Sequence, residues 1–228
     1  MKTAMAALAL AAALFGQAAS AAENTLTAAE RAAGWKLLFD GRSTEGWRGF
    51  KTIAPDDGWT VKDGLLGPDP KRSQDIMTKE QFGDFELVFD WKLGPKGNSG
   101  VMFHVTQAGE QTYQSGPEYQ VVDNARGEPI VEQAGALYGL YAPSTDATRP
   151  VGEFNHSRLV IRGGKGEHWL NGVKVVEYDL NSAEFKAKVA ATKFRAWPQF
   201  AASPTGHIAL QNHGDPVFYR NIKIRPLK

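Results

Sequence analysis

Apolar and polar residues alternate along the middle of the chain. The segment "DFELVFDWKL" repeats with a period of two, which places successive side chains on opposite faces of a β-strand. One face would carry the apolar residues Phe85, Leu87, Phe89, Trp91 and Leu93. The other face would carry Glu86, Asp90 and Lys92. We therefore predict a half-buried strand here, with its apolar face in the core.

The next apolar segment, "NSGVMFHV", alternates in the same way. Val101, Phe103 and Val105 share one face of the predicted strand, and Met102 and His104 share the other. If the valine and phenylalanine face is the core, strict alternation makes His104 face a concave cleft or solvent.

Turn signals separate many short strands. Asn171-Gly172 and Gly163-Gly164 lie between alternating apolar segments, as expected of two-residue hairpin turns. Residues 182–197 form the one predicted helix of any length, with Ser182 as its N-cap. Because the strands are not spaced by helices as in βαβ units, the pattern predicts an all-β sandwich of two antiparallel sheets with one short helix.

The N-terminus has the pattern of a secretory leader. Residues 1–21 combine Lys2, an apolar run rich in Ala and Leu, and the small-residue triplet Ala19-Ser20-Ala21. We predict a signal peptide over 1–21, a lead over 22–33 as a short helix or a flexible segment, and one domain over 34–228. A periplasmic or secreted location follows, without a membrane span.

Composition narrows the partners and the chemistry. The 26 basic and 25 acidic residues give a net charge of +1, so the basic excess expected of a nucleic-acid-binding protein is missing. The chain contains no cysteine. Disulfides, thiolate metal sites, a cysteine nucleophile and the lipid-carrying cysteine of a lipobox are therefore excluded.

Eight motifs in order resemble the 3-keto-disaccharide hydrolase family, once labelled a domain of unknown function. They are "GWKLLFDGRSTEGW", "GDFELVFDWKL", "NSGVMFHV", "GPEYQVVDN", "GALYGLY", "GEFNHSRLVI", "HWLNGVKVVEY" and "IALQNHGDPVFYRNIKIRPL", from Gly34 to the C-terminus. The resemblance implies a concanavalin A-like jelly-roll sandwich with one concave sheet. It also implies a carbohydrate substrate already oxidised at C3, in periplasmic or secreted enzymes.

The acidic residues favour that chemistry over ordinary glycoside hydrolysis. An ordinary glycosidase needs two carboxyl groups on either side of the scissile bond. The E-x-D-x-x-E strand motif of related glucanases is missing, and Glu118 and Asp123 have opposite parity. A 3-keto sugar needs less: one base for the acidified C2 proton, an acid for the leaving group and an electrophile for the enolate oxygen.

Glu118 and His104 are the predicted catalytic residues. Glu118 follows Gly116 and Pro117 and shares a strand face with Gln120, while Tyr119 and Val121 can take the core face. His104 is predicted to be catalytic because it lies on the strand face opposite Val101, Phe103 and Val105. The alternatives are a solvent-exposed strand carboxylate and a surface histidine.

Eight further residues are predicted to bind substrate: Asn98, Gln120, Tyr138, Asn155, Arg158, Gln211, His213 and Asp215. Asn98 would either bind sugar hydroxyls or cap a turn, and Tyr138 would either stack on a sugar face or lie buried. Arg158 would hold an enolate oxygen or form a structural ion pair. In the last hairpin, "NHGDP" reads as the turn, with Gln211 and His213 on one face at the strand end.

Three questions stay open at this stage. The first is whether the protein binds a divalent cation. No H-x-H or H-E-x-x-H motif occurs, but His104, Glu118 and His213 could converge from separate strands to bind one. An upstream sugar C3-dehydrogenase as pathway partner is another. The third is function itself, since the same sandwich also serves non-catalytic carbohydrate-binding modules and endoglucanase-like hydrolases.

Overall fold

Two antiparallel β-sheets form the body of the protein. The computed structural model describes residues 22–54, 57–72 and 74–227, and the predicted leader over 1–21 lies outside these ranges. Within them the helices are α1 (Ala28–Ala32) and α2 (Ala183–Ala191). Neither is long and apolar enough to cross a membrane. The predicted all-β sandwich is confirmed.

The larger sheet has eight strands. They are β1 (Lys36–Leu37), β3 (Trp59–Lys62), β4 (Leu65–Pro68), β6 (Phe85–Leu93), β9 (Asn155–Arg162), β10 (Lys165–Leu170), β11 (Val173–Asp179) and β13 (Val217–Pro226). Their order is β11-β10-β9-β6-β13-β4-β3, with β1 also paired to β13. The alternating strand β6 therefore lies in the middle, between β9 and β13.

The smaller sheet has five strands. They are β2 (Trp47–Gly49), β5 (Ile76–Thr78), β7 (Asn98–Val105), β8 (Glu118–Val122) and β12 (His207–Leu210), in the order β2-β5-β12-β7-β8. Its inner face packs on the larger sheet: the rings of Phe89 in β6 and Tyr119 in β8 meet edge to face, with centroids 5.4 Å apart. The outer face of the smaller sheet is free to carry a site.

The predicted hairpins and core are confirmed. Phe85, Leu87, Phe89, Trp91 and Leu93 are all buried, as the alternation predicts. The glycine-containing turns at 163–164 and 171–172 have positive φ at both central residues, the geometry that matches the twist of paired strands.

Strand β7 departs from strict alternation at His104. Val105 pairs with His207 and Met102 with Ala209, so β7 advances three residues where β12 advances two. This extra residue is a β-bulge, and His104 takes a φ of 52° within it. Val105 consequently joins Met102 in a small apolar cluster on the outer face. The prediction that His104 faces the cleft or solvent is wrong, because the bulge turns its side chain inward.

The predicted helix over 182–197 is divided in two. Ser182 caps α2 by accepting a hydrogen bond from Phe185 N, as expected. The helix ends at Ala191 because Thr192 is extended, and a 3-10 turn follows over Lys193–Ala196. This break redirects the chain, so that Lys193 and Phe194 point toward the smaller sheet's outer-face cavity.

The N-terminal lead is bonded to the last strand. Asn24 and Asn221 both take left-handed backbone conformations, with φ of 55° and 52°. Each side-chain oxygen accepts a hydrogen bond from the other residue's backbone N–H, at 2.7 and 2.8 Å. Thr27 then caps α1 in a capping box with Glu30.

Candidate active site

A cavity of about 260 Å³ opens on the outer face of the smaller sheet. Glu118 and Gln120 point into it from β8, since the alternating Tyr119 and Val121 lie in the core between the sheets. The full lining is Asn98, Tyr113, Gly116, Glu118, Gln120, Tyr138, Lys193, Phe194, Gln211 and His213. Six of the ten predicted site residues therefore meet in one cavity.

Glu118 is the most unusual group of the cavity. It is only 8% exposed, and in the described part of the chain its carboxyl group has no hydrogen-bond donor. Burial raises the pKa of Glu118 from 4.5 to about 8, and the negative charge of Asp75 adds to the rise, while Lys193 opposes it. A buried carboxyl group with a pKa near neutrality, open to a cavity, can exchange a proton with a bound molecule.

Gln120 presents a second unpaired polar atom. Its Nε2 donates to Asn98 Oδ1 at 3.2 Å, whereas its buried Oε1 has no partner among the described residues. A buried acceptor without a donor costs free energy, unless a ligand supplies the donor. The hydroxyl of a bound sugar is such a donor, so this wall of the cavity is suited to a polyhydroxylated ligand.

A lysine and two aromatic rings line another part of the cavity. Lys193 Nζ lies 4.5 Å from the centre of the Tyr138 ring and donates to its hydroxyl at 3.3 Å. Phe194 packs edge to face on Tyr138, with centroids 6.4 Å apart. Burial raises the pKa of Tyr138 to about 12, so its hydroxyl stays protonated. This part of the cavity thus combines one lysine side chain with apolar ring surface.

The last predicted turn supplies Gln211 and His213. Gln211 N donates to Gly100 O at 2.9 Å, and its carbonyl accepts from the Ser99 hydroxyl at 2.7 Å, which fixes this segment beside β7. Gly100 in turn lies beneath Glu118, with no side chain to displace it. The two walls of the cavity are therefore held together through β7.

Comparison with known proteins identifies the family. Residues 34–225 match the family described as a 3-keto-alpha-glucoside-1,2-lyase-like domain. The chain belongs to this family. Over 228 aligned residues it is 30% identical to a 3-keto-disaccharide hydrolase of Bacteroides thetaiotaomicron, across 85% of this chain and 79% of that protein. The resemblance of the eight motifs is confirmed, and the chain is an enzyme of the glycoside-cleaving class.

Solved structures of the same kind share the fold. A candidate glycosyl hydrolase from Parabacteroides distasonis superposes with a TM-score of 0.85 at 34% identity, over 91% of this chain and 100% of that one. A second from the same organism gives a TM-score of 0.66 at 30% identity, over 85% and 99%.

The structure of this 3-keto-glucoside-lyase-like domain does not bring His104 to Glu118. His104 is buried at the bulge, where its Nε2 lies 2.9 Å from Gly83 O and its ring packs on Phe85 and Phe103. It lines a different cavity, together with Asp84. Its predicted place in the catalytic cleft is therefore corrected: the extra residue in β7 moves it away.

Asn155 and Arg158 lie on the larger sheet, outside the cavity. Asn155 Oδ1 accepts from Arg149 N at 2.8 Å and Asn171 Nδ2 at 2.7 Å, which secures a hairpin. Arg158 pairs with Glu86 and lies over the Trp169 ring. Their predicted substrate contacts are corrected to structural roles, because β9 pairs with β6 and not with the strands of the site.

Asp215 lies beside the cavity without lining it. Its Oδ2 accepts from Asn98 N at 3.1 Å and pairs with Arg126 at 3.2 Å. It therefore holds the start of β7, and through it the Asn98 side chain, in place. The predicted substrate contact is replaced by this support.

Four residues that sequence patterns did not indicate belong to the site or its border. Tyr113, Lys193 and Phe194 line the cavity, and Asp75 lies close enough to act on the charge of Glu118. Lys193 and Phe194 lie within residues 182–197, which the sequence pattern predicts as one helix, and the break at Thr192 brings them to the cavity. Asp75 and Tyr113 occur in irregular segments with no periodicity to read.

The three residues considered for a metal ion are not assembled. His104 is in another cavity from Glu118 and His213. Across residues 22–54, 57–72 and 74–227, no group of three or more His, Asp or Glu side chains is placed to hold a metal ion. The polar side chains that line the cavity are one carboxyl group, one imidazole, three amides, two tyrosine hydroxyls and one lysine.

Proposed function

We propose that this enzyme cleaves glycosides already oxidised at C3, by elimination across C1 and C2 followed by hydration. The observation that carries the proposal is the Glu118 carboxyl group, buried in a polar cavity with a pKa of about 8 and no donor. Membership of a 1,2-lyase-like family supports the elimination, and the name of the Bacteroides relative supports a 3-keto-disaccharide as substrate.

Elimination begins at the carbon next to the ketone. The C3 carbonyl acidifies the C2 proton, and Glu118 in its ionised form removes that proton. The electron pair moves into an enolate, whose oxygen is stabilised by the Lys193 ammonium group, which also lines the cavity. Expulsion of the C1 substituent then breaks the C1–O bond, and His213 protonates the leaving oxygen.

Hydration completes the reaction and restores the enzyme. Water adds to C1 of the enone, and His213 takes the proton that the water releases. Glu118 exchanges its proton with solvent while the enone is bound, and then delivers a proton to C2. The balance is one water consumed and one glycosidic bond cleaved, with both side chains back in their starting states. A carboxyl pKa near the working pH suits a group that must both take and return a proton.

The remaining cavity residues would hold the sugar. Gln120, Asn98 and Gln211 line the cavity, and their amide groups would bond ring hydroxyls. Tyr138 offers an aromatic face for the C–H side of the ring. A cavity lined by a few polar groups and aromatic side chains is the form expected of a small-ligand site.

The cellular setting is part of the proposal. The predicted leader over residues 1–21 supports export to the periplasm or medium. Because the substrate must be oxidised before it is cleaved, a sugar C3-dehydrogenase would act upstream.

A paired substrate assay tests this function. Purified protein is incubated with a 3-keto-disaccharide and, separately, with the unoxidised parent, in D₂O. Cleavage of the ketone alone, with deuterium at C2 of the released sugar, is the expected result. Cleavage without deuterium at C2 would replace elimination by direct hydrolysis, and equal cleavage of both sugars would indicate an endoglucanase-like enzyme. Binding without cleavage of either would indicate a carbohydrate-binding module.

A further inference from the structure

Asp75 joins separate segments of the chain at the border of the cavity. It directly precedes β5, and its backbone carbonyl accepts from Phe50 N at 3.2 Å. Its Oδ1 accepts from Asn212 N at 2.9 Å, and its Oδ2 accepts from the Thr112 hydroxyl. One carboxylate therefore ties the segment after β12 and the 3-10 turn at Thr112–Gln114 to the start of β5.

Both tied segments carry cavity residues. Thr112 is followed by Tyr113, and Asn212 lies between Gln211 and His213 in the wall. Irregular segments of this kind have no strand ladder of their own, so their side-chain positions depend on such bonds. Removing the Asp75 carboxylate would release Tyr113 and His213 together.

Asp75 also sets the electrostatic surroundings of Glu118. After burial, its charge is the next largest cause of the raised pKa of Glu118, with Glu132 acting in the same direction and Lys193 against it. Burial raises the pKa of Asp75 itself, while Thr112, Asn212 and the nearby His213 lower it. The two carboxyl groups are therefore coupled, and ionisation of one disfavours ionisation of the other.

We infer that Asp75 is a positioning residue of the active site, which orders the Tyr113 and His213 segments and keeps a second carboxyl group beside the base. This inference rests on the proposed role of Glu118 and adds a residue that touches no substrate. It differs from a purely structural role in one respect: the charge of Asp75, and not only its hydrogen bonds, acts on the reaction.

Two substitutions separate the charge from the hydrogen bonds. Asp75→Asn keeps an oxygen for Asn212 N and an amide that can donate to the Thr112 hydroxyl, but removes the charge. Asp75→Ala removes both. Glu110→Gln is the matched control for net charge, because Glu110 is an exposed carboxylate paired with Lys51.

The pH dependence of kcat/KM on a 3-keto-disaccharide is the first readout. For Asp75→Asn we expect the acidic limb to move to lower pH, so that the ratio of variant to wild type is about threefold or more higher at pH 6 than at pH 9. For Asp75→Ala we expect a loss of about tenfold or more at every pH. The inference is overturned if the acidic limb of the Asp75→Asn pH profile coincides with that of wild type. It is also overturned if Asp75→Ala keeps full activity.

A second readout needs no substrate. The carboxyl carbon of Glu118 is followed by NMR during a pH titration of wild type, Asp75→Asn and Glu110→Gln, with thermal unfolding as the folding check. Glu118 should titrate at lower pH in Asp75→Asn alone. If this occurs but no 3-keto sugar is cleaved, the proposed function fails while the coupling stands. Unchanged titration in a folded Asp75→Asn variant overturns the coupling even if the sugar is cleaved.

Discussion

Gly100 lies directly beneath the carboxyl group of Glu118: a Cβ atom on Gly100 would be 1.9 Å from Glu118 Oε1. The two residues are on neighbouring strands, β7 and β8, and Gly100 pairs with Gln120 in the register. The bare backbone at position 100 thus lets the Glu118 side chain lie across β7 toward the segment after β12.

A methyl group at position 100 should therefore disable the site. We expect Gly100→Ala to push the Glu118 carboxyl group from its place and to lower kcat/KM by about 10²-fold, the usual effect of a misplacement near 1 Å. Gly94→Ala is the control, since a Cβ there meets nothing within 4 Å. Steady-state kinetics of both variants test this, and equal activity of the two would contradict the proposed position of the base.

Glu118→Gln should make the protein more stable while abolishing activity. The folded-state pKa of Glu118, about 8, is above its ordinary value of 4.5. The folded state thus binds the proton more tightly, and stability falls as pH rises from about 4.5 to 8. Gln carries no charge to bury, so we expect the variant to gain about 5 kcal/mol at pH 9 and nothing at pH 4.

Denaturant unfolding at the two pH values measures this difference. Activity should fall by about 10²–10⁴-fold, as for loss of a general base. Glu110→Gln should change neither quantity, because Glu110 is exposed. A Glu118→Gln variant that is destabilised at pH 9 and less so at pH 4 would show that the carboxyl group is ionised and paired in the folded protein.

The two histidines should respond in opposite ways to the same change. His213→Asn removes the proposed acid, and we expect kcat to fall by about 10²-fold with little change in stability. His104→Asn should keep activity, since asparagine tolerates the positive φ of the bulge, and should lose about 1 kcal/mol through the bond to Gly83 O. Kinetics and thermal unfolding of both distinguish the roles, and an inactive, folded His104→Asn would reverse them.

Gln120→Met should weaken substrate binding without destabilising the fold. The change removes the buried Oε1 that lacks a partner, together with the bond to Asn98, and keeps the side chain's length. We expect KM to rise about tenfold, with the free energy of unfolding unchanged or higher. Unfolding curves and substrate titrations test this, and an unchanged KM would remove Gln120 from the binding site.

Sequence patterns predicted the regular half of the site and missed the irregular half. Glu118 and Gln120 could be assigned because β8 alternates without interruption, so parity alone separates cavity from core. The same reasoning failed for His104, because a single inserted residue in β7 reverses parity and leaves no mark in the hydrophobic pattern. Alternation carries information only while the backbone stays regular.

Lys193 and Asp75 were missed for a different physical reason. Each lies in a short irregular segment, one after α2 and one before the three-residue strand β5. Their place is decided by packing between segments far apart in the sequence, which local propensity does not contain. The fold itself was predictable, because its core rests on long alternating strands and on hairpins with glycine turns.

The reciprocal hydrogen bonds between Asn24 and Asn221 show that the folded unit begins before the region that the family shares. The family shares residues 34–225, a limit set by common descent. The folded unit is longer, since Asn24 bonds the lead to β13, which pairs with the central strand β6 of the larger sheet. A recombinant chain trimmed to residues 34–225 would keep every residue that lines the cavity. It would lose the two hydrogen bonds between Asn24 and Asn221 that attach the lead to β13. A shortened recombinant form of this enzyme should therefore retain the lead over residues 22–33.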